Sequence, residues 1–191
     1  MPTFAQGSRS SLSYKIETAF GTTPGGNFTN LPFTTHSLNM TKDRVAGTDI
    51  QADRMSRVDR HGNRQVAGDI VADLRDTDFD DLLRAALLDA GTGDPVDWDS
   101  NVIKVGTTPT YFSIEDYAAD IVQARLFTGC SVNTLSVSLA PNAMVTGTFG
   151  IVGKDMSISQ TPKTQDAATG AAPFDAYSGD LEIGGSASAI V

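Results

Sequence analysis

The sequence is short of the residues that build reactive sites. It has one cysteine, Cys130, so neither an intrachain disulfide nor a cysteine-based zinc site can form within one chain. Cys130 stands between Gly129 and Ser131, with strand-like runs on either side, and is expected to act as a small buried hydrophobe. The two histidines, His36 and His61, lie in a polar stretch without HExxH spacing and without a nucleophile beside them for a triad. No apolar run is long enough to cross a bilayer, and Met1 to Ser13 lacks the apolar stretch of a signal peptide. No membrane partner and no export by that route are expected. Basic residues number 14 against 23 acids, for a net charge of −9 and a pI near 4.5. A chain this acidic does not grip nucleic-acid phosphates over a broad surface. Aromatics make up 7% and are scattered, and Trp98 is the only tryptophan.

Several motifs come close to chemistry and miss it. Ten aspartates fall between Asp69 and Asp99. The run Asp94-Pro95-Val96-Asp97-Trp98-Asp99 has neither the calcium-loop pattern nor a distal glutamate at its spacing, and reads as a solvated turn. Asp76, Asp78, Asp80 and Asp81 resemble paired catalytic carboxylates, but the start of a helix explains them better. A phosphate-loop pattern nearly forms over Thr148 to Asp155. It fails at both ends, with Thr148 for the first glycine and Asp155 for the serine or threonine. No G-x-S-x-G occurs. No enzyme, cofactor or metal site is expected.

What remains is mostly β. Leu12, Tyr14 and Ile16 alternate with polar neighbours, and Val66 to Arg75 reads as a strand with Ile70, Ala72 and Leu74 on one face. From Thr77 to Ala90 the period changes: Phe79, Leu82, Leu83, Ala86 and Leu87 recur at helical spacing. Thr77 is the expected N-cap and Gly91 the expected stop. Short strands follow over Val102–Val105 and Tyr111–Tyr117. Residues 120–152 then read as an antiparallel meander, turning at Pro141-Asn142. Residues 157–173 read as a flexible loop, and Tyr177–Ile183 and Ala187–Val191 as two last strands. The overlong segment 36–64 is poor in large apolar groups, so it cannot offset its own ordering entropy and is expected to be mobile, or ordered by a neighbour. Residues 42–64 carry six basic and four acidic groups, a net +2, which leaves −11 for the rest of the chain. A basic arm on an acidic body is the result.

Several phrases, in order, resemble the tail tube proteins of tailed phages. They are the opening Tyr14-Lys15-Ile16-Glu17-Thr18-Ala19-Phe20-Gly21-Thr22-Thr23-Pro24, then Leu31-Pro32 with Leu38. Asp59-Arg60-His61-Gly62-Asn63-Arg64 follows, leading into Val66-Ala67-Gly68-Asp69-Ile70. The helix Phe79 to Leu87, the meander phrases Phe127 to Asn133 and Pro141 to Gly150, and Phe174 to Gly179 complete the set.

That resemblance implies a single domain over 1–191. Its fold would be mainly β (α+β): two packed antiparallel β-sheets, forming a sandwich or partial barrel, with one flanking helix and a long extended arm. The family's sheets are expected to run on past the position equivalent to Val191, so a C-terminally truncated chain is an expectation. The resemblance further implies a structural virion protein. Six copies would form a ring, rings would stack into a tube, and duplex DNA would pass through on ejection without specific binding. Tape measure, terminator and distal tail proteins would be its partners, in the virion and, during assembly, in the bacterial cytoplasm. A ring-forming terminator or injection-system tube is the near alternative, and a β-sandwich ligand-binding module the distant one. Arg54, Arg57, Arg60 and Arg64 are candidates to meet Asp76, Asp78, Asp80 and Asp81 of the next ring. The small polar faces Thr134, Ser136 and Ser138, or Thr146, Thr148 and Gly150, are candidates to line an acidic lumen.

Overall fold

Alternating apolar and polar residues commit most of this chain to strands whose apolar sides must meet. The computed structural model describes residues 7–47, 58–89, 103, 105–177, 181–183 and 186–188. After a short 3-10 turn the elements are β1 (Ser10–Ile16), β2 (Thr29–Leu31), β3 (Thr35–His36), β4 (Asn39–Val45), β5 (Arg60–Asp73) and α1 (Asp80–Ala86). Then come β6 (Phe112–Ala118), β7 (Gln123–Ser138), β8 (Thr146–Gly153), β9 (Asp155–Ser159), β10 (Leu181–Ile183) and β11 (Ser186–Ser188). Nine strands form one antiparallel sheet in the order β2-β1-β6-β7-β8-β5-β3, with β4 on β5 and β9 on β7, while β10 and β11 pair with each other. The sheet curls into a half-barrel. Its two limbs are the two sheets read from the sequence, joined because the long strand β7 belongs to both. The first half of β7 pairs with β6 and β9, and the second half with β8.

The core fills the space between the limbs. Leu12, Phe112, Ile114 and Phe127 come from one limb, and Val66, Ile70, Phe149 and Ile151 from the other. Phe79, just before α1, stacks on Phe149 at 5.8 Å between ring centroids, and Leu82 and Ala85 carry the helix into the same core. Each buried side chain of this size contributes about 1.5–3 kcal/mol. Cys130 is fully buried, as its apolar setting predicted, and burial, with Glu17 nearby, pushes its thiol up to about 12.

The point where β7 passes from one limb to the other is built from residues far apart in sequence. Gly129 there has φ +64, a left-handed conformation that glycine alone adopts freely. A β-carbon at Gly129 would come within 2.9 Å of Lys154 and 3.0 Å of Phe20. Glu17 is buried beneath this corner. Its Oε1 accepts from the Gly129 amide at 2.9 Å and from Ser113 Oγ at 2.7 Å, and its Oε2 from the Gly21 amide at 2.6 Å. Outside, Lys154 lies over the Phe20 ring, and Phe20 packs edge-on against Tyr111.

The structure corrects several expectations. The helix is Asp80–Ala86, shorter than 77–90. Thr77 is not its cap, because it sits at φ +68 before the helix begins; Phe79 holds the N-cap position with no side-chain hydrogen bond. The helix stops before Gly91, which lies outside the described residues. Leu88 takes the left-handed position at φ +56, and the amides of Leu88 and Asp89 close on the carbonyls of Ala85 and Arg84, the hydrogen-bond pattern of a Schellman stop. No strand forms at Ile103 or Val105. Within 157–173, the first three residues belong to β9, Phe28 and Gln165 form a bridge, and the Lys163 amide donates to Glu115 at 2.8 Å. Segment 36–64 has regular structure at both ends, where β4 and the start of β5 form a two-stranded ribbon.

Candidate assembly surfaces

The first surface follows from strand parity. On β8, Phe149 and Ile151 point into the core, so Thr146, Thr148 and Gly150 take the opposite face. Across the ladder they meet Ser138, Ser136 and Thr134 of β7 as direct partners. The two polar faces read separately from the sequence are therefore one face. On the other side of β8, Gly150, Thr148 and Thr146 are opposite Asp69, Val71 and Asp73 of β5, and Val71 is opposite Thr35 of β3. The only charged side chains at these positions are Asp69 and Asp73. Sequence reasoning missed both, although their alternation with Ile70 and Ala72 carried the signal. Gly150 cannot be larger, since a β-carbon there would come within 2.2 Å of Thr134 Oγ1.

The second surface is the arm. Val66 of β5 faces Gly153, the last residue of β8, and Asp73 faces Thr146 at the other end. Residues 60–65 therefore extend past the end of β8 by roughly 20 Å of strand, paired only with β4 on the ladder from Gln65 opposite Thr41 to Arg60 opposite Val45. Of the four candidate arginines, Arg54 and Arg57 lie outside the described residues. Arg60 is exposed at the outer end of the ribbon. Arg64 is engaged within the chain: its Nη1 donates to both oxygens of Asp155, at 3.0 and 2.9 Å, which holds the Asp155 carboxyl below its usual range. Arg44 pairs with Asp59 at 2.7 Å.

The candidate acids lie beyond the far end of β5 and are mostly turned inward. Asp76 is exposed. Asp78 is buried and accepts from Thr169 Oγ1 at 2.8 Å. Asp81, half-buried, accepts from the Tyr14 hydroxyl at 3.0 Å, and burial, with Asp81 and its neighbours, raises Tyr14 well above the usual tyrosine range. Asp80 is buried with one oxygen unpartnered. Burial, then the charges of Asp76, Asp81 and Asp78, push it from 3.8 up to about 6.

The raised Asp80 makes a test of stability. A carboxyl raised in the folded state stabilises fully below its unfolded value of 3.8, and that contribution is lost as pH rises through about 6. Asp80→Asn is therefore expected to stabilise the protein by about 1–2 kcal/mol at pH 8 and to be near neutral at pH 4. Urea unfolding at both pH values checks this, and an equal effect at both would remove the assignment.

A further polar contact spans the limbs at the root of the arm. His36 Nε2 on β3 lies 3.6 Å from Asp116 Oδ1 on β6. Arg125 on β7 donates to the other oxygen of Asp116 through Nε at 2.9 Å and through Nη2. Burial would raise Asp116, but these hydrogen bonds outweigh it and hold its carboxyl below the usual range. No group of three or more metal-ligating side chains occurs among the described residues.

The curled sheet, the short helix and the projecting ribbon make this a mainly β protein. The sheath/tube terminator of an extracellular contractile injection system, PVC, has the same fold, with a TM-score of 0.50 at 11% identity, over 83% of this chain and 98% of that one. The tail of an empty gene transfer agent particle gives a TM-score of 0.49 at 10% identity, covering 82% and 98%. The SPP1 tail tube gives 0.49 at 11% identity, covering 85% and 81%. No curated protein matches the chain by sequence. The family described as phage tail tube protein matches residues 7–191. The chain belongs to that family, and its role is that of a structural tail tube subunit.

Proposed function

We propose that six copies of this chain close into a ring, that rings stack head to tail, and that duplex DNA passes through the lumen without binding. The protein catalyses nothing in this reading. It acts in the virion, alongside tape measure, terminator and distal tail proteins, after assembly in the host cytoplasm. The observation that carries the reading is the continuous face of Thr134, Ser136, Ser138, Thr146, Thr148, Asp69 and Asp73. Apart from Val71 opposite Thr148 it is small, polar and acidic, and like charge prevents phosphate pairing and counterion release. Ring closure also supplies partners for exposed strand edges. Electron microscopy of the purified protein tests the reading: long stacked tubes support it, and single rings would favour a terminator.

Stacking would join the arm to the far end of the next subunit. Because Arg64, Asp78 and Asp81 already have partners within the chain, the inter-ring set narrows to Arg54, Arg57 and Arg60 against acids such as Asp76. Each exposed pair is worth about 0–1 kcal/mol, so repetition around the ring must supply the effect. Reversing Arg54 and Arg57 to glutamate is expected to slow tube growth by about tenfold or more, with the melting temperature unchanged, and raised salt is expected to slow the wild type in the same direction. Light scattering follows growth. Unchanged growth at moderate salt would count against the charge pairing.

A further inference from the structure

The polar face of β8 does not stop at Gly150. A β-carbon at Gly153 would meet Cys130 Sγ at 2.9 Å and Val66 at 3.1 Å. Both belong to the core, so Gly153 faces inward. Alternation then puts Val152 and Lys154 on the outer side, in line with Thr146, Thr148 and Gly150. Lys154 keeps its place on the ladder, because its amide donates to the Thr128 carbonyl at 3.0 Å. It is exposed, and no other residue from Thr146 to Lys154 carries a positive charge.

That charge is held down. The lysine stem lies flat across two glycines. A β-carbon at Gly129 would come within 2.9 Å of Lys154 Cβ, and one at Gly21 within 2.9 Å of Cδ and 2.8 Å of Nζ. The ammonium sits over the Phe20 ring, 5.3 Å from its centroid. Tyr111 braces that ring edge-on at 4.7 Å between centroids. Glu17 lies beneath, accepting from the amides of both glycines. Phe20 is 51% exposed and stands outside the core, so core packing does not account for an aromatic residue at this position.

We propose that Phe20 is a positioning residue for DNA passage: with Gly21 and Gly129 it forms a cradle that keeps Lys154 flat against the wall and away from passing phosphates. The proposal rests on the lumen reading above and adds how the wall's own cation is kept from sticking. A lysine free to extend would form contact pairs with phosphates and release their counterions, and a ring would repeat that contact in every copy. Held over a π face, with a carboxylate beneath, the ammonium already has partners. The remaining attraction at longer range is offset by Asp69 and Asp73 on the same face.

Filter retention of labelled duplex by open tubes tests the cradle. Phe20→Leu keeps an apolar side chain and removes the π face. Its tubes are expected to retain about five times as much DNA as wild type at about 20 mM salt and to release it by about 200 mM. Phe20→Tyr, which keeps the ring, and Phe20→Leu with Lys154→Gln are both expected to match wild type. Tubes of Ser136→Arg with Thr148→Arg report separately on whether the face lines the lumen. If those tubes retain DNA and Phe20→Leu tubes do not, the cradle is overturned and the lumen reading stands. Retention by neither overturns both. Retention that persists in Phe20→Leu with Lys154→Gln also overturns the cradle. Should Phe20→Leu not build tubes, acylation of soluble subunits with an N-hydroxysuccinimide ester, read by mass spectrometry, decides. Modification of Lys154 faster by about threefold, with the other lysines unchanged, supports the cradle, and an unchanged rate at Lys154 overturns it.

Discussion

Glu17→Ala is expected to lower unfolding stability by about 3–5 kcal/mol. The carboxylate is buried and receives three donors: the Gly21 and Gly129 amides and the Ser113 hydroxyl. Alanine leaves all three without a partner in a site closed to water. A buried donor left unmade costs about 1–3 kcal/mol, and hydrogen bonds to a charged acceptor are the stronger kind. The position matters as much as the number. Gly129 is where β7 leaves one limb of the sheet for the other, and Gly21 lies inside the turn from Ala19 to Thr22 that follows β1. Loss of Glu17 therefore loosens the corner that curls the sheet. Glu17→Gln keeps the shape but turns an NH2 group against at least one donor, so a smaller loss of about 1–3 kcal/mol is expected. Urea unfolding gives both values, and hydrogen exchange should show Gly21 and Gly129 losing protection first. If both variants unfold within about 0.5 kcal/mol of wild type, Glu17 does not hold the corner.

The second large effect concerns passage of DNA. Ser136→Arg with Thr148→Arg places two guanidinium groups at directly opposed positions on the polar face. Repeated around a ring of six, they would turn a face whose charges at the paired positions are Asp69 and Asp73 into a basic collar. Open tubes of the variant are expected to retain short duplex DNA at 50 mM salt and to release it by 200 mM. A few phosphates neutralised per ring are enough for an affinity loss of about 10²-fold or more across that range. Wild-type tubes should retain none at either salt. Filter retention of labelled duplex measures this. Equal retention by variant and wild type would mean that this face does not line the lumen, and release insensitive to salt would mean that phosphate pairing is not the cause.

Much of this was legible in the chain order. The alternation around Leu12 to Ile16, Ile70 to Leu74 and Phe149 to Ile151 set the strands and their inward faces, and the change of period near Phe79 marked the one helix. The helix ends were not legible. Thr77 and Gly91 had the right chemistry for caps, but the backbone reached left-handed conformations at Thr77 and Leu88 instead, and packing of Phe79 on Phe149 took precedence over capping preference. The ribbon of β4 on β5 was missed because Lys42, Asp43 and Arg44 have no inward face to alternate with, and its order comes from backbone pairing.

By itself, then, the sequence determined the class of structure: period-two patterning and ordered family phrases led to a structural tail tube subunit. Tertiary structure alone decided what those residues meet. Strand register is a long-range property, so only pairing could join Ser136 to Thr148 and Asp69 to Gly150 as one face. Charge partners are equally non-local: Arg64 found Asp155 and Tyr14 found Asp81 across many residues of chain. Glu17 reads in the sequence as one more polar residue after a strand, and it became a buried anchor because curling the sheet brought Gly21, Ser113 and Gly129 to its two oxygens.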